Sequence, residues 1–316
     1  MKDLSVIIPF YNEQGNLTRL HTELVQVLQP LKLTYEIIYI DDGSTDSSVN
    51  TLTAFIGKKH KAIHTHVIEL RRNFGQTAAI AAGINASCGK LIVFLDADLQ
   101  NDPKDIPKFI NKINEGYDVV FGWRQYRKDN APRVLASSIA NTMIRFLLRV
   151  PLHDVGCSLK IYRREVLSGL SLYGETHRIM TVMTYWKGVS YTEMPVSHRQ
   201  RFVGKSKYGF SRIIKLFLDL LTVKFLNSYS TKPAYIFGTI GVLSTVLSML
   251  SLLFVAYHKL FLGIYVHRDP LFLIAIFFML IGIQLILMGL LAELQIRTYF
   301  ESQHKQIYEI KKISRL

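Results

Sequence analysis

Two acidic side chains stand one residue apart directly after a short apolar run, in the stretch Leu91–Pro103. The run Leu91–Leu95 is typical of a strand buried on both faces, and it ends at Asp96 and Asp98. Open α/β sheets bind their ligands at such strand ends. Carboxylate and amide oxygens suit hard cations such as Mg²⁺ and Mn²⁺, and the amide of Gln100 follows. The spacing predicts a divalent metal with open positions for diphosphate oxygens; the alternative is a strand end that caps the next helix.

Alternating apolar segments must position these carboxylates. The pattern of buried strands is found at Leu4–Phe10, Glu36–Ile40, Val67–Leu70, Leu91–Leu95 and Gly116–Gly122. Helices are predicted between them over about 16–28, 77–86 and 106–115, and a further helix over 134–149. Strands and helices that alternate through short links form a Rossmann-like, mainly parallel sheet of the α/β class. A GxGxxG motif does not follow the first strand, which disfavours a dinucleotide-binding fold.

The predicted strands end in residues that could contact a ligand, and a parallel sheet brings these ends to one edge. They are Pro9, Tyr11, Glu13, Asp41, Asp42, Arg72, Asn73, Gln76, Asp96, Asp98 and Arg124. The set is acidic where a metal and a base would bind, and basic or amide-bearing elsewhere. Gly204-Lys205-Ser206 resembles the end of a P-loop, but position 199 is arginine where that motif needs glycine, so we reject it.

Two uncharged runs predict a membrane hairpin. Residues 233–257 and 270–292 contain no charged side chain, and each is long enough to cross a hydrocarbon core of about 30 Å. Before them, apolar residues recur at helical spacing over 210–225, which predicts an amphipathic helix in the membrane interface; packing on the soluble domain is the alternative. Cations are sparse in the turn 258–269, as the positive-inside rule expects if that turn is not cytosolic.

Charge and composition suggest where each segment lies. The net charge of +14 fits nucleic acid, anionic lipid or phosphorylated substrates, and the hairpin narrows this choice to the membrane and its phosphates. We predict a cytosolic catalytic domain at 1–208, an interfacial region at 209–232, the hairpin at 233–292 and a basic cytosolic tail at 293–316. The N-terminal residues lack the pattern of a signal peptide, and the two cysteines fit a reducing cytosol. A bacterial inner membrane is favoured.

Several motifs in order carry a family resemblance. They are SVIIPFYNE at 5–13, DDGSTDSS at 41–48, RNFGQTAAIAAG at 72–83, DADLQNDP at 96–103 and FVGKSKYG at 202–209. These motifs resemble family 2 glycosyltransferases and, more narrowly, the polyprenyl-phosphate glycosyltransferases, the group that contains dolichol-phosphate mannose synthase and its bacterial relatives. The resemblance implies a nucleotide-sugar-binding domain of the GT-A fold. It also implies transfer of a sugar from a nucleoside-diphosphate sugar to undecaprenyl or dolichyl phosphate.

The resemblance implies roles for individual residues. Those matching nucleotide-sugar-binding positions are Pro9, Tyr11, Glu13, Ile40, Asp41, Asp42, Gln76, Asp96, Ala97, Asp98 and Lys207. The metal ligands would be Asp98 and Gln100. Lipid-phosphate binding would involve Arg124, Arg133, Ser137, Arg201, Lys205 and Ser206. Catalysis would depend on Asp96, Asp98, Arg124 and Arg201, with a solvated helix face as the alternative for each arginine.

Further candidates lie between the sheet and the membrane. Asp154 and Gly156 fit an acidic residue and a glycine that relatives often carry, which implies a part in shaping the sugar pocket; a plain turn is the alternative. His177 opens the next predicted helix, and packing or hydrogen bonding is favoured over catalysis for it. The segment 199–207 gathers cations around Gly204, which favours phosphates and a loop that a phosphate orders.

The choice of acceptor changes what the site must contain. Transfer to an alcohol needs a general base, whereas a lipid monophosphate, with a second pKa of about 6, arrives ionised. We therefore predict a metal-dependent, inverting displacement in a site rich in cations. A polysaccharide synthase acting on a hydroxyl would be expected to show a QxxRW motif and more spans, and the sequence shows neither. A non-catalytic scaffold is the other alternative. UDP is slightly favoured over GDP; the sugar, the lipid length, the choice between Mg²⁺ and Mn²⁺ and the oligomeric state are left open.

Overall fold

The computed structural model describes residues 2–59, 64–126, 131–170, 172, 176–200, 233–302 and 310–315. Their backbone forms two compact units. The first contains a β-sheet with its flanking helices, and the second contains a helical hairpin.

The first unit is built on a sheet that, in the described part of the chain, has eight strands in the order β7-β5-β6-β4-β1-β2-β3-β8. The strands are Lys2–Phe10 (β1), Tyr35–Asp41 (β2), Thr65–Leu70 (β3), Gly89–Phe94 (β4), Val119–Trp123 (β5), Lys160–Arg163 (β6), Tyr191–Pro195 (β7) and Ile310–Arg315 (β8). Strand β1 pairs in parallel with β2 and β4, β2 with β3, and β5 with β7. Strand β6 is antiparallel to β4 and β5, and β8 is antiparallel to β3. The predicted mainly parallel α/β sheet is confirmed.

Helices cover the two faces of this sheet between successive strands. They are Leu17–Leu28 (α1), Ser48–Lys59 (α2), Gln76–Ala86 (α3), Ile106–Asn114 (α4), Ala131–Leu148 (α5), Arg164–Leu167 (α6) and Met180–Trp186 (α7). Helix α1 shows why the pattern was readable, because its leucines at 17, 20, 24 and 28 are all buried in the core at helical spacing. The predicted helices at 16–28, 77–86, 106–115 and 134–149 match α1, α3, α4 and α5 to within a few residues.

The strand order creates a crevice at one place on the ligand-binding edge. From β1 the chain adds β2 and β3 on one side, and it then crosses to form β4 on the other side of β1. The connections leaving β1 and β4 therefore diverge beyond their carboxyl ends. Ligands of open α/β sheets bind at such a switch point.

The second unit is a pair of helices, Pro233–Phe261 (α8) and Pro270–Ser302 (α9). Within them, Phe237–Phe261 and Pro270–Ala292 are long and apolar enough to cross a membrane, and most of their large apolar side chains are exposed. These stretches agree with the predicted spans, although α8 continues to Phe261 and shortens the predicted turn. The predicted interfacial helix at 210–225 lies outside the described residues.

Small residues hold the two hairpin helices together. A Cβ atom on Gly241 would lie 2.7 Å from the carbonyl oxygen of Gly282, so the backbones meet where neither residue has a side chain. The hydroxyl of Ser248 donates to the carbonyl of Ala275 across the pair at 2.7 Å. Close approach at glycines and interhelical hydrogen bonds are how helices associate where the solvent offers no hydrophobic driving force.

Candidate active site

The acidic motif occupies the carboxyl end of β4, beside β1. The amide of Leu95 still donates to the carbonyl of Ile7 at 3.1 Å, and the chain then turns through Asp96 to Asp98. Leu99 adopts a left-handed backbone with φ of 61°, while its side chain is buried. Such a conformation costs a non-glycine residue about 1–2 kcal/mol. It turns the chain so that the amide of Gln100 donates to the Asp98 carboxylate at 3.1 Å.

Asp96 is fixed from two sides. The side-chain amide of Gln76, at the start of α3, donates to its carboxylate at 3.0 Å. The hydroxyl of Ser158 also donates to it, and that hydroxyl accepts from the side-chain amide of Asn101 at 2.7 Å. Burial, and after it the negative charge of Asp98, raises the pKa of Asp96 to about 6. The carboxylate therefore has a set orientation and a like-charged neighbour.

The acidic pair has the chemistry of a divalent metal site. Asp98 is only 8% exposed, and its negative charge repels that of Asp96. A bound cation would reduce this repulsion. Among the described residues no group of three or more His, Cys, Asp or Glu side chains is arranged to hold a metal ion. One or two carboxylates supplemented by substrate phosphates are the usual environment of Mg²⁺ in nucleotide enzymes. Asp98 with Gln100 fits such a metal, which would complete its coordination with oxygens from a ligand.

The two neighbouring acidic residues at the end of β2 have different surroundings. The Asp42 carboxylate accepts from the backbone amides of Phe74, at 2.8 Å, and Gly75, at 3.0 Å, so it ties its own loop to the loop after β3. The Asp41 carboxylate accepts from the amide of Ser44 at 2.9 Å. Burial raises the pKa of both groups. Asp42 is thus engaged in holding the site together, which leaves Asp41 better placed for a ligand.

The loop after β1 is joined to the same acidic turn. The amide of Asn12 donates to the hydroxyl of Ser44 at 2.9 Å, and the carboxamide oxygen of Asn12 accepts from the amide of Thr45 at 2.8 Å. Glu13 is held similarly, because its amide donates to the hydroxyl of Ser48 at 2.9 Å. Nothing in the sequence pattern distinguished Asn12 from its neighbours. It serves as the link that sets the spacing between the two loops.

Gly43 lies inside the acidic turn after β2, where the neighbouring backbone leaves no room for a side chain. Its φ is +72°, and a Cβ atom there would lie 2.5 Å from the backbone carbon of Arg72 and 2.7 Å from the amide nitrogen of Asn73. We expect Gly43→Ala to lower the free energy of unfolding by at least about 2 kcal/mol, because strain and overlap add. Gly57→Ala is the control, since no described atom lies within 4 Å of its added carbon. That change should raise the free energy of unfolding by about 0.5 kcal/mol. Thermal unfolding of the detergent-solubilised protein measures both, and an unchanged melting temperature for Gly43→Ala contradicts the prediction.

A buried ion pair lies at the end of β5. The guanidinium of Arg124 donates to both oxygens of Asp154, from Nε at 2.7 Å and from Nη2 at 2.9 Å, and its backbone amide donates at 3.1 Å. Burial alone would lower the pKa of Arg124, but the bonds and charge of Asp154 outweigh burial and raise it. A guanidinium carries five N–H donors, so one face of Arg124 remains for an anion. Gly156 lies against it, because a Cβ atom there would be 3.2 Å from Nη2.

The other predicted nucleotide-binding residues lie at the same edge. Pro9 and Ile40 are buried in the last residues of β1 and β2, and the Ile40 side chain packs into the core against Gly83. An Ile40 contact with a nucleotide would therefore use its backbone. Tyr11 is partly exposed just beyond β1, and Ala97 is buried between the two acidic residues.

Several predicted phosphate-binding residues fall where the structure gives little or nothing. Arg133 is in α5, but its side chain is outside the described residues, whereas Ser137 is partly buried on the same helix. Also outside them are Arg201, Lys205, Ser206 and Lys207.

The chain enters this basic segment beside the acidic motif. The amide of Arg199 donates to the carbonyl of Gln100 at 2.8 Å. The Arg199 side chain pairs with Glu23, at 2.7 Å, and with Asp102. These two carboxylates compensate the charge of Arg199, which anchors the chain at this point. Arg199, the first cation of the 199–207 cluster, is therefore not assigned to phosphate binding.

His177 contacts the start of α3 through a hydrogen bond. Its Nδ1 lies 2.7 Å from the hydroxyl of Thr77, next to Gln76. This contact agrees with the predicted hydrogen-bonding role. Ser158 and Lys160, by contrast, were not predicted as site residues, because a serine just before a short strand and a lysine at its first position carry no motif by themselves.

Comparison with known proteins finds relatives that match along nearly the whole chain. Residues 5–170 match the model of the family described as "Glycosyl transferase family 2". A dodecaprenyl-phosphate galacturonate synthase from Rhizobium johnstonii is 37% identical over 98% of this chain and 93% of its own length. An undecaprenyl-phosphate 4-deoxy-4-formamido-L-arabinose transferase from Klebsiella pneumoniae is 36% identical over 100% of this chain and 94% of its own.

A solved structure supports the fold. The glucosyl-3-phosphoglycerate synthase of Mycobacterium tuberculosis, in complex with Mn²⁺, UDP-glucose and phosphoglyceric acid, superimposes with a TM-score of 0.53 at 18% identity. The match covers 72% of this chain and 79% of that one. The GT-A-type fold and the matching motifs lead to one conclusion: this chain is a glycosyltransferase that belongs to glycosyl transferase family 2.

Proposed function

We propose that this enzyme transfers one sugar from a nucleoside-diphosphate sugar to a polyprenyl phosphate, with inversion at the anomeric carbon and with the help of Mg²⁺ or Mn²⁺. The observation that carries this proposal is that opposite charges lie at one edge of the sheet: Asp96 and Asp98 follow β4, and Arg124 follows β5. A diphosphate with its cation suits the acidic pair, and a second phosphate suits the basic group.

The donor would occupy the crevice between β1 and β4. Asp41, whose carboxylate accepts from the amide of Ser44, would contact the base or ribose, and Tyr11, just beyond β1, would contribute to the same part of the site. Asp96 would face the sugar in the orientation set by Gln76 and Ser158. A divalent cation at Asp98 and Gln100, when bound, would supply positive charge that stabilises the departing diphosphate. We favour UDP slightly over GDP as the nucleotide.

The acceptor would approach from the side of Arg124. The free face of its guanidinium, oriented by Asp154, can bind a phosphate monoester. The proposed additional contacts are Arg133, Ser137, Arg201, Lys205 and Ser206. An ionised phosphate oxygen attacks the anomeric carbon, the bond from that carbon to the diphosphate breaks, and its electron pair stays with the nucleotide. No proton has to be removed in this step, so a general base is not needed.

The relatives and the hairpin support the choice of acceptor. Both relatives described above are named for a polyprenyl phosphate, dodecaprenyl in one and undecaprenyl in the other. Their sugars differ, so the names do not fix the sugar for this chain. The two apolar helices would anchor the enzyme in the bilayer that confines such a lipid. We propose a multi-pass protein of the bacterial inner membrane with its catalytic domain in the cytoplasm.

A substrate panel tests the proposal. Purified full-length protein is offered UDP- and GDP-sugars with undecaprenyl or dolichyl phosphate and either metal, and labelled lipid is measured. We expect at least one pair to give product, and chelation of the metal to stop the reaction. Product NMR should show a β-linked sugar from an α-linked donor. Retained configuration contradicts the inverting mechanism, and transfer only to a hydroxyl acceptor contradicts the proposed acceptor.

A further inference from the structure

A buried lysine lies against the candidate site. Lys160 is the first residue of β6 and is 4% exposed. Because β6 is antiparallel to β4, its first residue lies at the carboxyl end of β4, where Lys160 is in register with Phe94. Asp96 follows Phe94 by two residues, so the lysine stands at the ligand-binding edge of the sheet.

The ammonium group of Lys160 is poorly satisfied. It donates to the carbonyl oxygen of Val155 at 3.3 Å, and within the described part of the chain this is its single hydrogen bond. The nearest carboxylates are committed elsewhere, because Asp154 is paired with Arg124, and Asp96 accepts from Gln76 and Ser158. An ammonium has three N–H donors, so two of them remain. Burial lowers the pKa of Lys160 to about 8, which still leaves it mostly charged at neutral pH.

A second lysine of the same domain, Lys187, shows how an ammonium group is ordinarily hydrogen-bonded. The ammonium of Lys187 donates to the carbonyls of Val166, at 3.0 Å, and Ser168, at 2.6 Å, close to the opposite end of β6. Lys160 is more buried yet has fewer and longer bonds. A buried donor without its partners costs about 1–3 kcal/mol, so a fold retains one where a ligand completes it.

We propose that Lys160 determines donor specificity by donating hydrogen bonds from Nζ to an oxygen of the transferred sugar, a hydroxyl or a carboxylate. This inference rests on the proposed function, because it places a sugar beside Asp96. The nucleotide would contact other residues, around β1 and β2. A site whose buried donors need a substrate oxygen discriminates strongly against analogues that lack it.

The test separates binding of the sugar from binding of the nucleotide. For the donor identified by the substrate panel, calorimetry gives Kd for the nucleotide sugar and for the nucleoside diphosphate alone, both with Mn²⁺. We expect Lys160→Met to weaken the nucleotide sugar at least about tenfold and to change Kd for the nucleoside diphosphate less than about twofold. Lys160→Arg keeps the charge and should recover part of the loss. Lys187→Met is the matched control and should leave both Kd values unchanged.

The possible results are distinguishable. Equal weakening of both ligands by Lys160→Met would show a structural role and overturn the inference, as would no weakening at all. If Lys160→Met does not fold, the Kd values of Lys160→Arg are the test. If the lysine contacts the sugar, the longer arginine side chain must raise Kd for the nucleotide sugar more than Kd for the nucleoside diphosphate. A loss confined to uronic acid donors would assign the bond to a carboxylate, and a loss shared with neutral donors would assign it to a hydroxyl. A wild-type protein that binds no nucleotide sugar would overturn the proposed function itself.

Discussion

Replacing Asp98 by alanine is expected to lower kcat at least about 10³-fold while the protein still folds and reaches the membrane. Its carboxylate is the proposed ligand of a divalent cation, whose positive charge would stabilise the departing diphosphate. The side chain is small, and it lies beyond the last residue of β4 and is not one of the apolar side chains of the core. The loss should therefore be catalytic.

A matched acidic residue provides the control for this change. Asp118 immediately precedes β5, at the amino end of that strand and so away from the ligand-binding ends of the strands. Its carboxylate accepts from the amide of Ser190 at 2.9 Å. Asp118→Ala removes the same charge and should leave kcat within about twofold, since the group is far from the strand ends. Formation of lipid-linked sugar is measured at saturating donor and metal. An Asp98→Ala enzyme that keeps more than a tenth of the wild-type kcat would exclude Asp98 as the metal ligand.

The parts of the fold that the sequence predicted are those where burial decides the side chains. β1 and β2 lie in the middle of the sheet, and helix α1 packs one face on it, so both leave an apolar signature. Strands β7 and β8 escaped prediction because they lie at the two edges of the sheet. Edge strands rarely have a continuous apolar sequence, because charged residues on them prevent pairing with another chain. The lysines of β8, in the sequence IKKISR, are typical of this arrangement.

The site was predictable where single residues end strands and form motifs. Asp96, Asp98 and Arg124 belong to that class, and the structure brings them to one edge. What the sequence did not show is which groups hold them. Ser158 reaches Asp96 from a position two residues before β6. Strand β6 enters the sheet between β4 and β5 in the reverse direction, and no local pattern predicts that insertion. The cation run at 199–207 was equally ambiguous, because Arg199 is neutralised by partners that lie far away in the chain.

The pair of Arg124 and Asp154 should be the largest single electrostatic determinant of stability among the described residues of the site. The carboxylate of Asp154 is 2% exposed, and the guanidinium donates to both of its oxygens. Removing one partner leaves the other charge buried and uncompensated. We expect Asp154→Leu to lower the free energy of unfolding by about 3–5 kcal/mol. Thermal unfolding in detergent measures this loss. Asp118→Ala is the control, because it removes a partly exposed ion pair with Arg163 that should contribute at most about 1 kcal/mol.

The double variant separates stability from catalysis at this pair. Arg124→Met together with Asp154→Leu removes both charges and leaves apolar groups of similar volume, so it should recover most of the stability lost in Asp154→Leu. Activity should not recover, because the phosphate-binding face of Arg124 is gone. KM for the polyprenyl phosphate should rise at least about tenfold, while Kd for the nucleotide sugar should change little. If the double variant regained turnover together with stability, Arg124 would serve the fold alone, and the acceptor phosphate would have to be bound by other cations.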